Sequence, residues 1–264
     1  MKHLATFFLM AFLVQVAAAD NQGADGLSLY NELVTDLCNA STTGYKAIGP
    51  SGGERDLEAQ GALMVTDRPL DLALVGKGFF CYRNSAADDL YYSRDGSLHI
   101  GADGYLANEA GDSLWPLIAI PPGVGSDSLT VGRDGAVLAR GPGRERVRIG
   151  KVLVHVPKDY ATVGATDGLK FHFRHATSGE NERLAIVCGC LETSTVAVVD
   201  VLKRCLVLLG RLGTDGAVPK EVAETKAAQI RQYLERLSNQ ESPGNASQFE
   251  RLHIESSVYP TGAP

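Results

Sequence analysis

The stretch that most constrains the fold spans residues 70–106. Leu70, Leu72 and Leu74 alternate with Asp71, Ala73 and Val75, a period of two that puts one row of leucines on one face of a strand. Gly76 and Gly78 permit a sharp turn, and Phe79 and Phe80 then resume an extended run. Asp95-Gly96 and Asp103-Gly104 sit between short apolar segments, the signal of tight hairpins. The stretch reads as a β-meander without a catalytic group.

The same grammar continues over residues 57–189. Turn signals recur at Asp88-Asp89, Gly111-Asp112, Asp134-Gly135, Gly141-Pro142-Gly143 and Asp167-Gly168. Between them Val152, Val154 and Val156 alternate with Leu153 and His155, and Leu169, Phe171 and Phe173 with Lys170, His172 and Arg174. Many short strands with closely spaced turns predict an antiparallel, hairpin-rich sandwich or barrel. The 29 glycines suit such a chain, and 264 residues can bury a core as one or two domains.

Helical periodicity flanks this region. Leu29, Leu33 and Leu37 recur at fourfold spacing beside Tyr30 and Val34, one apolar stripe on a helix over residues 27–39. Ser28 or Asp25 can cap its start, and Gly44 follows its end. On the C-terminal side, Ser194 or Thr195 can cap a helix reaching Leu209. Val199, Leu202, Leu206 and Leu209 form one stripe on it, and Val198, Val201, Cys205 and Leu208 a second. A helix so apolar around its circumference must be covered, within the fold or by other subunits. Gly210, Gly213 and Gly216 are expected to interrupt it. Pro219 opens another helix to Leu237, with a weaker stripe of Val222, Ile230, Leu234 and Leu237. Residues 238–264 read as a loosely ordered tail.

At the N-terminus Lys2 and His3 precede an apolar run over residues 4–16, followed by Ala17-Ala18-Ala19. This pattern predicts a secretory signal at 1–19, cut before Asp20. The run is short for a bilayer span, and no later segment is long and apolar enough to cross a membrane. Five cysteines (Cys38, Cys81, Cys188, Cys190 and Cys205) leave at least one outside any intrachain pairing. Cys188 and Cys190 would share a face of one strand, so a strained disulfide is conceivable, but packing as small apolar filler explains them more simply. A net charge of −6 argues against a nucleic-acid partner. The locally basic stretch 133–151 reads as a solvated rim.

Candidate chemistry is thin. Gly49-Pro50-Ser51-Gly52-Gly53 fits the G-x-S-x-G pattern of a hydrolase, but the nucleophile elbow needs a strand before it and a helix after it. His172 and His175 would point to opposite faces of a strand, a poor start for a metal site. Gly76-Lys77-Gly78 has no helix start after it to hold a phosphate. Asp95, Asp103 and Asp134 lack the dense spacing of a calcium loop and are explained as turn formers. No catalytic residue, metal or cofactor is expected.

Three separated segments carry a family resemblance. NASTTGYK (residues 39–46) resembles the motif that closes the N-terminal helix of the bacterial flagellar rod and hook proteins. LDLALVGKGFF, YYSRDGSLHIGADGYL and LTVGRDGAVLA resemble that family's central β domain, and LETSTVAVVDVL (residues 191–202) the motif opening its C-terminal helix. They occur in family order. The resemblance implies a mainly β fold flanked by N- and C-terminal helices that pair with each other and with neighbouring subunits. It implies a structural, non-enzymatic role in the flagellar basal body, as a rod-like axial subunit or an accessory to it. The partners would be other rod or hook subunits, or further copies of the chain. The secretory signal is a departure, because that family begins directly with its long helix. It points to a periplasmic, exported relative.

The expected layout is therefore a signal at 1–19, an N-terminal helix within 20–46, a β domain at 57–189, a helical region at 190–237 and a tail at 238–264. The expected assembly interface comprises Leu29, Leu33, Leu37, Val198, Val199, Leu202, Leu206 and Leu209. The alternative is a periplasmic or secreted binding module that keeps the fold without polymerising.

Overall fold

A computed structural model describes residues 24–52, 54–141, 145–158, 160, 167–173, 176–178 and 185–240. The expected signal, positions 241–264 of the expected tail, Gly53, Pro142, Gly143, Arg174 and His175 lie outside the described residues. The chain divides into two compact units, residues 31–201 and residues 1–30 with 202–264.

Helix α1 is Ala24–Cys38, and among the described residues fourteen strands follow it. In order they are β1 (Leu63–Val65), β2 (Leu72–Val75), β3 (Phe80–Arg83), β4 (Leu90–Ser93), β5 (Leu98–Ile100), β6 (Leu106–Asn108) and β7 (Ser113–Leu114). After these come β8 (Leu129–Val131), β9 (Ala136–Arg140), β10 (Arg146–Lys151), β11 (His155–Pro157), β12 (Ala176–Ser178), β13 (Ala185–Cys188) and β14 (Cys190–Glu192). Helices α2 (Val198–Thr214) and α3 (Lys220–Gln240) close the described chain.

The mainly antiparallel β architecture with flanking helices is as the sequence predicts, but it is parcelled into small sheets. The orders are β4-β3-β7-β6-β5, β10-β9-β8, β13-β2, β11-β12 and β1-β14. Tyr82, Tyr91, Leu98, Leu106, Leu114, Val131, Val137 and Ile186 fill one core with Leu70, Leu72 and Leu74. A second cluster packs Leu57, Phe79 and Phe171 against Tyr92, Tyr160 and Phe173.

Two local expectations need correction. Strand β2 does not show one buried and one wet face: Leu72, Ala73 and Leu74 are all buried, and so is Asp71. It lies between β13 on one side, where Leu72 pairs with Cys188 and Val75 with Ala185, and the 96–98 backbone on the other. Both of its hydrogen-bonding edges are thus occupied, and because successive residues on its two faces are buried alike, the alternation carries no contrast in exposure. Nor is Asp95-Gly96 a hairpin turn, because β4 and β5 stand at opposite edges of their sheet. Gly96 is needed for close approach: a Cβ there would lie 1.9 Å from the Leu72 carbonyl oxygen. Asp103-Gly104 and Asp134-Gly135 do close hairpins, β5–β6 and β8–β9, each with glycine at positive φ.

In the helical unit, Leu27 and Tyr30 of α1 are buried along with Leu202, Cys205, Leu209 and Leu212 of α2. Gly26 allows the approach, since a Cβ there would meet Leu212 at 3.1 Å. Helix α2 is not interrupted at Gly210 or Gly213 but runs through both to Thr214. One glycine costs a helix roughly 1 kcal/mol, which packing can outweigh. Gly213 faces Ala223, at 2.9 Å from where its own Cβ would stand. The chain then turns at Gly216, φ 75°, and α3 extends to Gln240, past the expected end at Leu237. The buried stripe of α3 is Ala223, Lys226, Ala227 and Ile230, whereas Val222 is exposed. The described residues hold no helix long and apolar enough to cross a membrane.

Candidate functional site

The two motifs that flank the β region meet in the unit of residues 31–201. Gly44, at φ 68°, takes a conformation that side chains disfavour, and its N–H donates to the Glu192 carbonyl at 2.8 Å. Thr195 donates its N–H to the Tyr45 carbonyl at 3.0 Å, and its Oγ1 accepts the Ala47 N–H at 2.8 Å. The segment after α1 and the segment before α2 are thereby stitched side by side.

Beneath that seam lies a buried ionic clasp. Lys46 Nζ stands 2.6 Å from Glu192 Oε1, with both side chains wholly buried, and Lys46 also donates to the Ala59 carbonyl. Arg94 Nη1 reaches Glu192 Oε2 at 3.1 Å, and Arg94 Nη2 donates to the Gly76 carbonyl at 2.5 Å. The Gly61 N–H adds a further donor to Glu192 at 2.9 Å. One carboxylate thus serves two cations and an amide. Burial lowers the pKa of both Lys46 and Arg94, and Glu192 opposes that in each case. Arg94 also covers the ring of Phe79, 5.3 Å from its centre.

A second cluster ties the end of α1 to the following chain. Asp36 accepts from the Tyr45 hydroxyl at 2.9 Å, from the Ile48 N–H at 2.9 Å and from Arg55 Nη1 at 3.1 Å. A third lies in the β region. Asp112 accepts from the Ser85 N–H, the Tyr91 hydroxyl and Lys170 Nζ at 3.0, 2.8 and 3.1 Å. Burial raises the pKa of Asp112, but those three hydrogen bonds outweigh it and hold the carboxyl below its ordinary range. Sequence reasoning missed all three clusters. The only hint was that Lys46 and Glu192 fall inside the two flanking motifs.

These arrangements position chain segments; they do not present reacting groups. Ser51 sits at the tip of a small turn in which Gly52 N–H meets the Gly49 carbonyl and Ile48 bridges Arg55. That is not the strand-to-helix context a nucleophile elbow requires. Among the described residues no cluster of His, Cys, Asp and Glu could hold a metal ion. Cys188 and Cys190 flank Gly189, φ 75°, on separate strands, and no disulfide is present among the described residues.

The eight residues of the expected interface divide by exposure. Leu33, Leu37, Leu202 and Leu209 are buried within the chain. Leu29, Val198 and Leu206 are half-buried. Val199 is 40% exposed, and Val207, outside the expected set, is 59% exposed. Val199, Leu206 and Val207 lie on one side of α2 by helical spacing.

Comparison with known proteins covers part of the β region, including Arg94 of the clasp and Asp112. Residues 73–139 match the family described as Flagellar hook protein FlgE/F/G D1 domain. The chain is 34% identical over 144 residues, 41% of its length, to the flagellar basal-body rod protein FlgG of Agrobacterium fabrum. It is 38% identical over 79 residues, 30% of its length, to the protein of that name from Buchnera aphidicola subsp. Schizaphis graminum. A third, from Buchnera aphidicola subsp. Baizongia pistaciae, is 32% identical over 106 residues, 40% of this chain. The matched parts span 53%, 29% and 39% of those relatives' own lengths. Over residues 73–139 this chain is thus similar to the flagellar rod and hook protein family, and it spans about half the length or less of the relatives it matches.

Proposed function

We propose that the protein is a structural, non-enzymatic component of the flagellar basal body, a rod-like axial subunit or an accessory that supports motility. The similarity of residues 73–139 to the hook-protein D1 domain supports this reading. The observation that carries it further is the apolar side of α2, where Val199 and Val207 stay exposed after the chain has buried Leu202 and Leu209. A like subunit or a rod or hook protein is the cover, and head-to-tail contacts that do not close build a tube. Export proceeds through the signal at 1–19, and the mature chain works in the periplasm at the basal body. No cofactor is needed.

Two measurements test this. Deleting the gene in its host should abolish or impair swimming, and basal bodies purified from the wild type should contain the protein; normal motility of the deletion strain, or absence of the protein from wild-type basal bodies, would overturn the proposal. N-terminal sequencing of the protein from its host should begin at Asp20, and a retained Met1 would refute export by signal cleavage. The binding-module alternative is favoured by burial of half the expected interface. Basal bodies of normal composition in the deletion strain would select it.

A further inference from the structure

The hairpin of β9 and β10 carries a charged face that neither the clasp nor the α2 surface uses. Arg146 pairs directly with Arg140, and Arg148 with Leu138. Because side chains alternate along a strand, Arg140, Arg146 and Arg148 share one face. All three are exposed. Outside the backbone ladder, none of their side chains has a hydrogen bond or ion pair to another described residue. Like charges at directly opposed strand positions repel, and here Arg140 and Arg146 stand so; the neighbouring acid, Glu145, lies against Gly141 at the end of the hairpin and forms no ion pair with either arginine. The chain as a whole is acidic, net −6, so this concentration runs against its general charge.

On the opposite face of β10, Val147 is 50% exposed, although its partner Ala139 is buried. Strand β10 is also terminal in its sheet, and among the described residues no strand pairs with its outer edge. The register shifts between Arg148 and Gly150, which limits the open edge to the Arg146–Arg148 side. Charge and a bulge on an edge strand ordinarily guard against unwanted pairing. Such a guard rejects neutral and basic strands. It does not reject a strand that brings carboxylates to the arginine face.

We propose that β10 takes up an extended acidic segment of another protein by strand addition. Carboxylates two residues apart would meet Arg146 and Arg148, and the apolar residue between them would cover Val147. Main-chain hydrogen bonds along the edge supply affinity, and the alternating side chains supply selection. An anionic lipid surface would use the arginines but neither the edge nor Val147, so a protein segment accounts for more of what the hairpin displays. The proposal stands independently of the flagellar reading.

The test uses the full chain and a fluorescein-labelled seven-residue peptide alternating glutamate with valine and threonine, followed by anisotropy. Binding should be saturable, weaken as salt rises, and fall about tenfold or more in the Arg146→Glu, Arg148→Glu double variant. A lysine-for-glutamate peptide should fail on the native chain and bind the double variant. Both substituted positions are exposed, and circular dichroism checks the fold; Arg140→Glu is a second variant should the double one unfold. Failure of the acidic peptide to bind, or its equal binding to the arginine variants, would overturn the proposal. So would equal binding of the same peptide with a methylated backbone, which cannot form the edge bonds. Arginine-dependent binding to phosphatidylglycerol vesicles without peptide binding would assign the face to membranes, and arginine-dependent dimerisation without it to a second copy. Either result would also overturn it.

Discussion

Glu192 draws its partners from distant parts of the sequence: Lys46, Gly61 and Arg94. The interest of such a site lies less in its net contribution than in the cost of breaking it. A buried ion pair roughly offsets its own desolvation, but removing one partner strands the other charges. Glu192→Gln should therefore destabilise the protein by about 3–5 kcal/mol in urea unfolding; a loss below about 1 kcal/mol would show that water reaches the clasp. Asp112 gives a prediction with a sign in pH. Its folded pKa is depressed, so as pH falls the unfolded chain takes up the proton first. The stabilisation is fully present above the ordinary carboxyl value, about 3.9, and is lost as pH drops through the folded value. Asp112→Asn should flatten that acid-side decline, read as unfolding free energy against pH between about 5 and 2. Neither cluster was legible in the sequence, where a lysine, an arginine or a glutamate reads as solvated surface. Only the fold reveals that residues 46, 94 and 192 converge.

At the scale of elements the sequence was legible where a signal is local. The Asp-Gly turns at 103–104 and 134–135 needed only their own backbone angles, and the helices needed only their stripes. It misled where one residue type answers two needs. Gly96 makes room for the Leu72 carbonyl, yet it looks the same as a turn glycine. Gly210 and Gly213 look like helix breakers, yet α2 passes through both. They should also differ from each other. Nothing lies within 4 Å of a Cβ placed on Gly210, so Gly210→Ala should stabilise by about 0.5–1 kcal/mol through helix propensity. A Cβ on Gly213 would stand 2.9 Å from that of Ala223. Gly213→Ala should lose that gain to steric strain between α2 and α3. Thermal unfolding of the two variants side by side measures the difference, and equal gains would mean that the helices separate freely at this contact.

For the whole molecule the question is which apolar surface belongs to folding and which is left for association. Leu202 is fully buried, and Val207 on the same helix is 59% exposed. Leu202→Asp puts a charge into an apolar interior and should unfold the chain, so loss of association in that variant would carry no information. Val207→Asp changes a position that water already reaches, and its effect on folding should stay within about 0.5 kcal/mol. If α2 presents its exposed side to another subunit, Val207→Asp and Val199→Asp should each leave urea unfolding unchanged. Each should also abolish the concentration-dependent increase in mass expected of the native chain in sedimentation, or its incorporation into basal bodies in the host. Scattered exposed apolar residues are common on monomers, so the decisive point is selectivity. Met64 and Val65 on β1 are comparably exposed, at 46% and 51%. Substituting Asp at these two positions should leave association intact. If the β1 pair and the α2 pair had equal effects, the α2 face would lose its special standing, and with it the structural reason to regard this chain as a subunit of a larger assembly.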